Sequence, residues 1–416
     1  MSGGEEPHAE RVVDLLAHLP YYSHTAVALL RAGLLRRFVS APMSHHPSRL
    51  EHVPGLGGLV GYFNRTRVDP QLEGVPIRRM WAAQVVALGA QRLAMHGGRG
   101  SALRFRSAVW DASALVHLRA PQRGPGPRIV HGLSGIMART AASARRHGAV
   151  VVCDVRAAHP RTLQRDVIEA LRRRGVRYQP PDLDILGRMT REFELADVLV
   201  CNSEYTRRSF LAEGFDPARV VAVPLGCDVS AFHPSSRRPD RFTVLFVGRD
   251  PYRKGLLDLL EAARGLPRGT RLLVVGELDA TARGTLAGLG IEVEALGGVG
   301  GDEMPALYRR ASVLALPSLS EAFGMVVLEA MASGVPVVIS DQVGAGEVMT
   351  DGAEGFVVPV GDPDALAERL ATLAHDRDLL ESMSRQARRR AEANTWGHYG
   401  ERLVRAYREV VLPLTS

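Results

Sequence analysis

Short apolar runs alternate along the chain with amphipathic stretches, and this alternation predicts parallel strands with helices packed on both faces. In the first half the runs fall near residues 11–17, 35–40, 128–131, 149–154, 197–201 and 219–223. A second round of the pattern opens at Phe242. It predicts strands over 243–248, 271–277, 291–295, 312–318 and 336–340, with helices at LLDLLEAAR, EMPALYRRA and GMVVLEAMAS between them. Residues 41–127 break the rhythm with a Gly-rich stretch from Gly55 to Gly61, an amphipathic stretch from Trp81 to Met95 and the loop GGRGS. From Pro363 to Val411 the pattern is helical. Its interruption at Asn394-Thr395-Trp396 predicts a final helix that packs back on the other half.

Two rounds of one pattern in 416 residues imply two domains, since a chain of this length exceeds a single compact core. The expected fold is α/β, with two Rossmann-like, doubly wound domains facing across a cleft. The first spans residues 1–226 and the second 241–395. The Pro-, Ser- and charge-rich residues 227–240 form a linker, and 396–416 a crossover helix.

Composition narrows the class without naming a function. Hydrophobic residues make up 46% and mean hydropathy is −0.03, values of an ordinary globular protein. The start MSGGEEPHAE lacks the basic-then-apolar layout of a signal peptide, and no apolar run approaches about 18 residues. The expected location is the cytoplasm, with Cys153, Cys201 and Cys227 as reduced thiols that lack metal-ligand spacing. The net charge is +7 and nearly all the basic residues are arginine. Clusters such as Arg36-Arg37, Arg172-Arg173-Arg174 and Arg388-Arg389-Arg390 fit a solvated face or an acidic surface, which leaves peripheral contact at the inner membrane face open. Core packing is the plainer reading of the Arg78–Met95 stretch, with lipid contact as its rival. No zinc-finger spacing or aromatic-glycine RNA motif accompanies the charge, which argues against nucleic acid. The Arg- and Ala-rich composition is that of a high-GC bacterium.

Candidate chemistry concentrates in PSLSEAFGMVVLEAMASGVPVVIS. A strand ends at Pro317, a loop carries Glu321 at the carboxyl edge of the sheet, and Gly324 opens a helix containing Glu329. Ligands of doubly wound sheets sit at that edge. The helix start offers unpaired N–H groups, from about Gly324 through Met325 and Val326 to Val327, to an anion. Glu329 is out of place as packing on an apolar helix, and a carboxylate accepting two hydrogen bonds suits a ribose diol. About seventy residues earlier, VLFVGRDPYRKG runs a buried strand into a loop with Arg249 and Lys254 at the same edge. Two cations facing a helix N-terminus make a diphosphate clamp that needs no metal. Asp182-Leu183-Asp184 mimics a metal-binding motif, but its place before a helical pattern reads better as N-capping, as does Asp362-Pro363-Asp364. No Gly-x-Gly-x-x-Gly follows a strand, which argues against a dehydrogenase.

These residues resemble the donor site of the retaining GT-B glycosyltransferases usually called family four. The resemblance is strong over roughly 195–365, including NSEYTRRSF, VPLGCDVSAFHP and GAGEVMTDGAEGFVVPVGD. It implies that Gly248–Gly255 contacts the diphosphate, that Glu321 touches the donor-sugar hydroxyls and that Glu329 touches the ribose. It further implies that the C-terminal domain binds a nucleotide sugar and the N-terminal domain an acceptor. VVVCDVRAAHPRTLQRD is similar to a branch with a strand-end histidine facing the sugar, a role this carries to His159. Arg156 and Asp154 share that strand end, and His131 in VHGLSG is a rival for the cleft. The family's usual Gly-Gly loop after the first strand is absent. Tyr21-Tyr22-Ser23-His24-Thr25 stands in its place and makes His24 an acceptor-side candidate.

The expected activity is therefore a hexosyltransferase-type, retaining transfer without metal or cofactor. The departing phosphate would take the acceptor proton, and no carboxylate would act as a covalent nucleophile. Phosphorolysis or pseudo-glycosyl C–N coupling on the same fold, and an inactive nucleotide-binding partner subunit, are the alternatives.

Overall fold

A computed structural model describes residues 12–17, 22–40, 69–75, 77–81, 83, 85–86, 99–119, 129–178, 183–235 and 239–415. The Gly55–Gly61 stretch, most of Trp81–Met95, Tyr21 and Asp182 lie outside the described residues.

The first sheet contains β1 (Val13–Ala17), β2 (Leu35–Ser40), β3 (Ile77–Arg79), β4 (Ile129–Leu133), β5 (Val150–Val155), β6 (Val198–Cys201) and β7 (Val220–Ala222). It is parallel throughout, in the order β3-β2-β1-β4-β5-β6-β7. The second contains β8 (Thr243–Val247), β9 (Arg271–Val275), β10 (Glu292–Gly297), β11 (Val313–Leu316), β12 (Val337–Ser340) and β13 (Gly355–Val358), in the parallel order β10-β9-β8-β11-β12-β13. Both sheets reverse strand order beside their first strand, between β1 and β4 and between β8 and β11. Each reversal opens a crevice at the carboxyl ends of the strands. The apolar runs gave the central strands to within a few residues. Edge strands β3 (Ile-Arg-Arg) and β13 (Gly-Phe-Val-Val) are too short or too polar to show as runs. They are strands because a neighbour's backbone pairs with them.

Five helices position the site: α1 (Ser23–Arg31), α2 (Glu204–Leu211), α3 (Leu256–Ala262), α4 (Met325–Ala332) and α5 (Trp396–Ala406). The helical tail breaks at Asp376 as well as at Asn394. The Asp376 carboxylate accepts from the Leu379 N–H (2.9 Å) and starts a new helix. Asp362 caps the preceding one through the Ala365 N–H (2.9 Å), with Pro363 in its first turn, as its sequence context predicts. Helix α5 packs back on the N-terminal domain. The Tyr399 and Thr25 hydroxyls lie 2.8 Å apart, the Trp396 and His24 rings stack at 4.1 Å, and Arg402 donates to the Pro224 carbonyl (3.0 Å).

Several arginine clusters turn out to be paired within the protein. Asp14 is fully buried in β1, where Arg36 (2.9 Å) and Arg37 (2.8 Å) from β2 meet it. Burial pushes its carboxyl pKa up, and the two guanidiniums outweigh that and hold it below the usual carboxylate range. Arg172 pairs with Glu169 (3.0 Å), Arg174 with Asp258, and Arg390 with Glu354 (2.8 Å). Arg388 donates to the carbonyls of Val229, Phe232 and Ala332. Arg36 and Arg37 thus share one carboxylate, as do the exposed Arg172 and Arg173. Among the described residues no helix is long and apolar enough to cross a membrane.

Candidate functional site

The loops after β8 and β11 meet at the second sheet's strand-order reversal. Gly255, at φ +82°, ends the first loop and starts α3. A Cβ there would overlap the Pro317 carbonyl, so only glycine lets this loop lie on the end of β11. Gly324, at φ +92°, starts α4 and leaves 3.2 Å between a notional Cβ and the Glu321 side chain. The Glu321 N–H donates to the Gln342 carbonyl (3.0 Å) and its own carbonyl accepts from Gly344 (2.9 Å), which pins the loop to the end of β12.

Together these loops form one wall of a cleft of about 660 Å³. Arg249, Lys254, Glu321, Gly324, Met325, Val326 and Glu329 all line it, as do His24 and Arg156 from the N-terminal domain. The Val327 N–H already bonds the Gly324 carbonyl (2.9 Å), so the N–H groups of Met325 and Val326 are the ones α4 offers the cleft. Arg249 is exposed, with no ion pair among the described residues. Lys254 is mostly buried and bonded to Glu321. Burial pushes the Glu321 carboxyl pKa up, but Lys254 and Arg253 outweigh it and hold the group below the usual range. Burial pushes the Lys254 ammonium pKa down in turn, against the opposing charge of Glu321.

Glu329 is different. Burial raises its carboxyl pKa, and a hydrogen bond from the Tyr308 hydroxyl (2.7 Å) only partly opposes this. The folded carboxyl therefore holds its proton more tightly than the unfolded one. Stability falls as pH rises from its ordinary value of 4.5 through the raised one, and the full penalty applies above that. Glu329→Gln, which keeps an oxygen acceptor for Tyr308, is expected to melt higher than wild type at about pH 8 and to lose that advantage near pH 4. Melting curves at both pH values check this, and a variant that melts lower at about pH 8 contradicts it.

The histidines divide. His159 lies outside the cleft lining, against the rings of Phe210 (5.1 Å), Phe215 (5.8 Å) and Phe193 (6.3 Å). Its Nδ1 accepts from the Arg161 N–H (3.3 Å), so it caps the turn beginning at Pro160 instead of facing the cleft. His131 is also fully buried outside the lining, bonded through Nδ1 to the Tyr407 hydroxyl (2.8 Å). Arg156 reaches the cleft while holding Asp154 (2.7 Å) and donating to Tyr22 (3.1 Å). Asn202, Asp228, Phe232, Arg253 and Trp396 also line the cleft, and the motifs did not single them out. Trp396 was visible only as a helix break, and Asn202 only as the start of NSEYTRRSF.

Two parallel sheets facing across such a cleft make the two-domain GT-B architecture of glycosyltransferases. Solved structures share it over nearly the whole chain. A sucrose-phosphate synthase from Thermosynechococcus elongatus superposes with a TM-score of 0.64 at 18% identity, covering 97% of this chain and all of that one. Alr3699/HepE from Anabaena, solved with UDP and glucose, superposes with a TM-score of 0.59 at 15% identity, covering 95% and 99%. Residues 229–390 match the family model for glycosyl transferases group 1, so the chain carries a C-terminal domain of that family. Curated relatives include the D-inositol 3-phosphate glycosyltransferases of Mycobacterium avium (strain 104), 32% identical over 53% of this chain and 57% of the relative, and of Kineococcus radiotolerans, 35% identical over 52% and 58%. The chain thus spans a little over half the length of the curated relatives it matches.

Proposed function

We propose that this protein is a retaining glycosyltransferase that moves a sugar from a nucleoside-diphosphate sugar to an acceptor hydroxyl, with no metal or other cofactor. The observation that carries this reading is the convergence of Arg249, Lys254 and the start of α4 on one corner of the cleft, with Glu321 and Glu329 beside it. Breaking the anomeric bond leaves a cation-like sugar and a diphosphate that gains negative charge. Lys254, held by Glu321, two backbone N–H groups and the exposed Arg249 meet that charge in this reading, and preorganised donors are worth about 3 kcal/mol each in comparable sites. They supply the positive charge that a metal would otherwise bring. In this reading Glu329 accepts from a ribose diol and Glu321 from sugar hydroxyls. His24, Arg156 and Asn202 line the cleft from the N-terminal domain, opposite the donor corner. Attack on the face the diphosphate leaves, with a phosphate oxygen taking the acceptor proton, retains configuration and needs no enzyme nucleophile. The UDP in the Anabaena neighbour and the glycosyltransferase names of the curated relatives support a nucleoside-diphosphate donor.

The test is thermal stabilisation of wild type and Glu329→Ala by UDP, GDP, ADP and their sugar conjugates. A ligand at a hundred times its Kd adds about 2.7 kcal/mol of stability. One nucleotide series is expected to shift wild type strongly and Glu329→Ala much less. No shift with any of them removes the basis for a nucleotide-sugar donor.

A further inference from the structure

Between the assigned residues of the β8–α3 loop sits a further cation, Arg253. Its Nε donates to Asp250 Oδ2 (3.1 Å), its Nη1 donates to the Ser320 carbonyl (2.7 Å), and Nη1 lies 3.5 Å from Glu321. The N-terminal domain arrives at the same two anchors. The Tyr178 hydroxyl donates to the very Asp250 oxygen that Arg253 holds, and the Tyr205 hydroxyl donates to Ser320 Oγ (2.7 Å). Around Tyr178 the domains share an apolar seam, with Val167 and Leu171 on one side and Leu319 and Tyr252 on the other. Arg253 therefore stands between the donor corner, through Glu321 and its Lys254 partner, and the contact that closes the cleft.

We propose that Arg253 is a positioning residue that couples occupancy of the diphosphate corner to closure of the two domains, an inference that rests on the transferase reading. A diphosphate that engages Lys254 takes part of the countercharge from Glu321. Arg253 remains beside Glu321 only while it stays anchored to Asp250 and Ser320, whose other partners are Tyr178 and Tyr205. The filled corner thus favours the arrangement in which the seam is made. In that closed arrangement His24, Arg156 and Asn202 face the donor, so a ligand that touches both walls binds the closed form better. Loosening the seam lowers the population of the binding-competent form, and with it the apparent affinity.

Tyr178 is not part of the cleft lining, and this makes it the informative variant. Calorimetry with UDP, GDP and ADP measures Kd for wild type, Tyr178→Phe, Arg253→Lys and the double variant, each checked for an unchanged circular dichroism spectrum. Tyr178→Phe is expected to bind the preferred diphosphate at least about fivefold more weakly. The double variant is expected to bind no more weakly than Arg253→Lys alone, because both changes break one link. In turnover assays Tyr178→Phe is expected to raise KM for the donor and leave kcat near wild type, since saturating donor restores the closed form. Wild-type affinity in Tyr178→Phe, or two losses that add in full, overturns the coupling. Failure of wild type to bind any of the three diphosphates is instead the failure of the transferase reading. Small-angle scattering then decides the seam alone: Arg253→Lys and Tyr178→Phe are expected to have larger radii of gyration, and wild-type values overturn the role of Arg253.

Discussion

Lys254→Ala is expected to lower kcat/KM by two to three orders of magnitude and to destabilise the fold at the same time. The rate effect follows from removing one of the fixed positive groups that face the leaving diphosphate, a loss of about 10²–10³ in comparable sites. The stability effect has a separate cause. The Glu321 side chain is only 12% exposed, and without Lys254 its remaining cation, Arg253, lies 3.5 Å away. Leaving a buried charge without its partner costs about 3–5 kcal/mol, and Arg253 keeps this case near the lower end. Adding Glu321→Gln to Lys254→Ala removes the stranded charge and is expected to restore most of the melting temperature, with none of the lost rate. Melting curves and progress curves with the sugar nucleotide chosen by the binding panel separate the two effects. Wild-type kcat/KM in Lys254→Ala would remove this residue from the diphosphate clamp.

Gly255→Ala is expected to be strongly destabilising for a single added methyl group. At φ +82° any L side chain is strained by about 1–2 kcal/mol, and the new Cβ would also overlap the Pro317 carbonyl. Backbone cannot turn aside as a side chain can, so the loop must lift off β11 at a total cost of about 3 kcal/mol or more. Gly269→Ala is the matched control. Its φ is +88°, but a Cβ there meets nothing within 4 Å, so only the conformational strain of about 1–2 kcal/mol applies. Denaturant midpoints of the two variants are expected to differ clearly. Equal midpoints would mean that the loop does not rest on the strand end. Because this loop carries Arg249 and Lys254, Gly255→Ala is also expected to lose nucleotide binding.

The C-terminal wall of the cleft was legible in the sequence because the residues that form it are local in the chain. Glu321, Gly324 and Glu329 lie within one loop and one helix, and Arg249, Lys254 and Gly255 within another, so short-range pattern fixes their relative places. The sheet then brings the two loops to one edge, since β8 and β11 are parallel neighbours whose carboxyl ends lie together. His159 shows where this reasoning stops. Both it and Arg156 follow β5, and only packing decides between them. Arg156 is drawn to Tyr22 and Asp154 at the cleft, and the His159 ring is taken up by Phe193, Phe210 and Phe215.

Alternating apolar and amphipathic segments determined by themselves the two α/β halves, the central strands and the return of the final helix, and the motifs at the strand ends placed Arg249, Lys254, Glu321 and Glu329. Periodicity and glycine placement encode such features within about twenty residues. Only tertiary structure decided that Arg36 and Arg37 neutralise Asp14, that Trp396 stacks on His24, and that Arg253 shares its anchors with Tyr178 and Tyr205. Arg36 and Asp14 are 22 positions apart, Tyr178 and Asp250 72, and Tyr205 and Ser320 115. A charge or ring looks the same in sequence whether it faces water or a partner. Burial removes the option of water, and the folded neighbours then determine which partner each group takes.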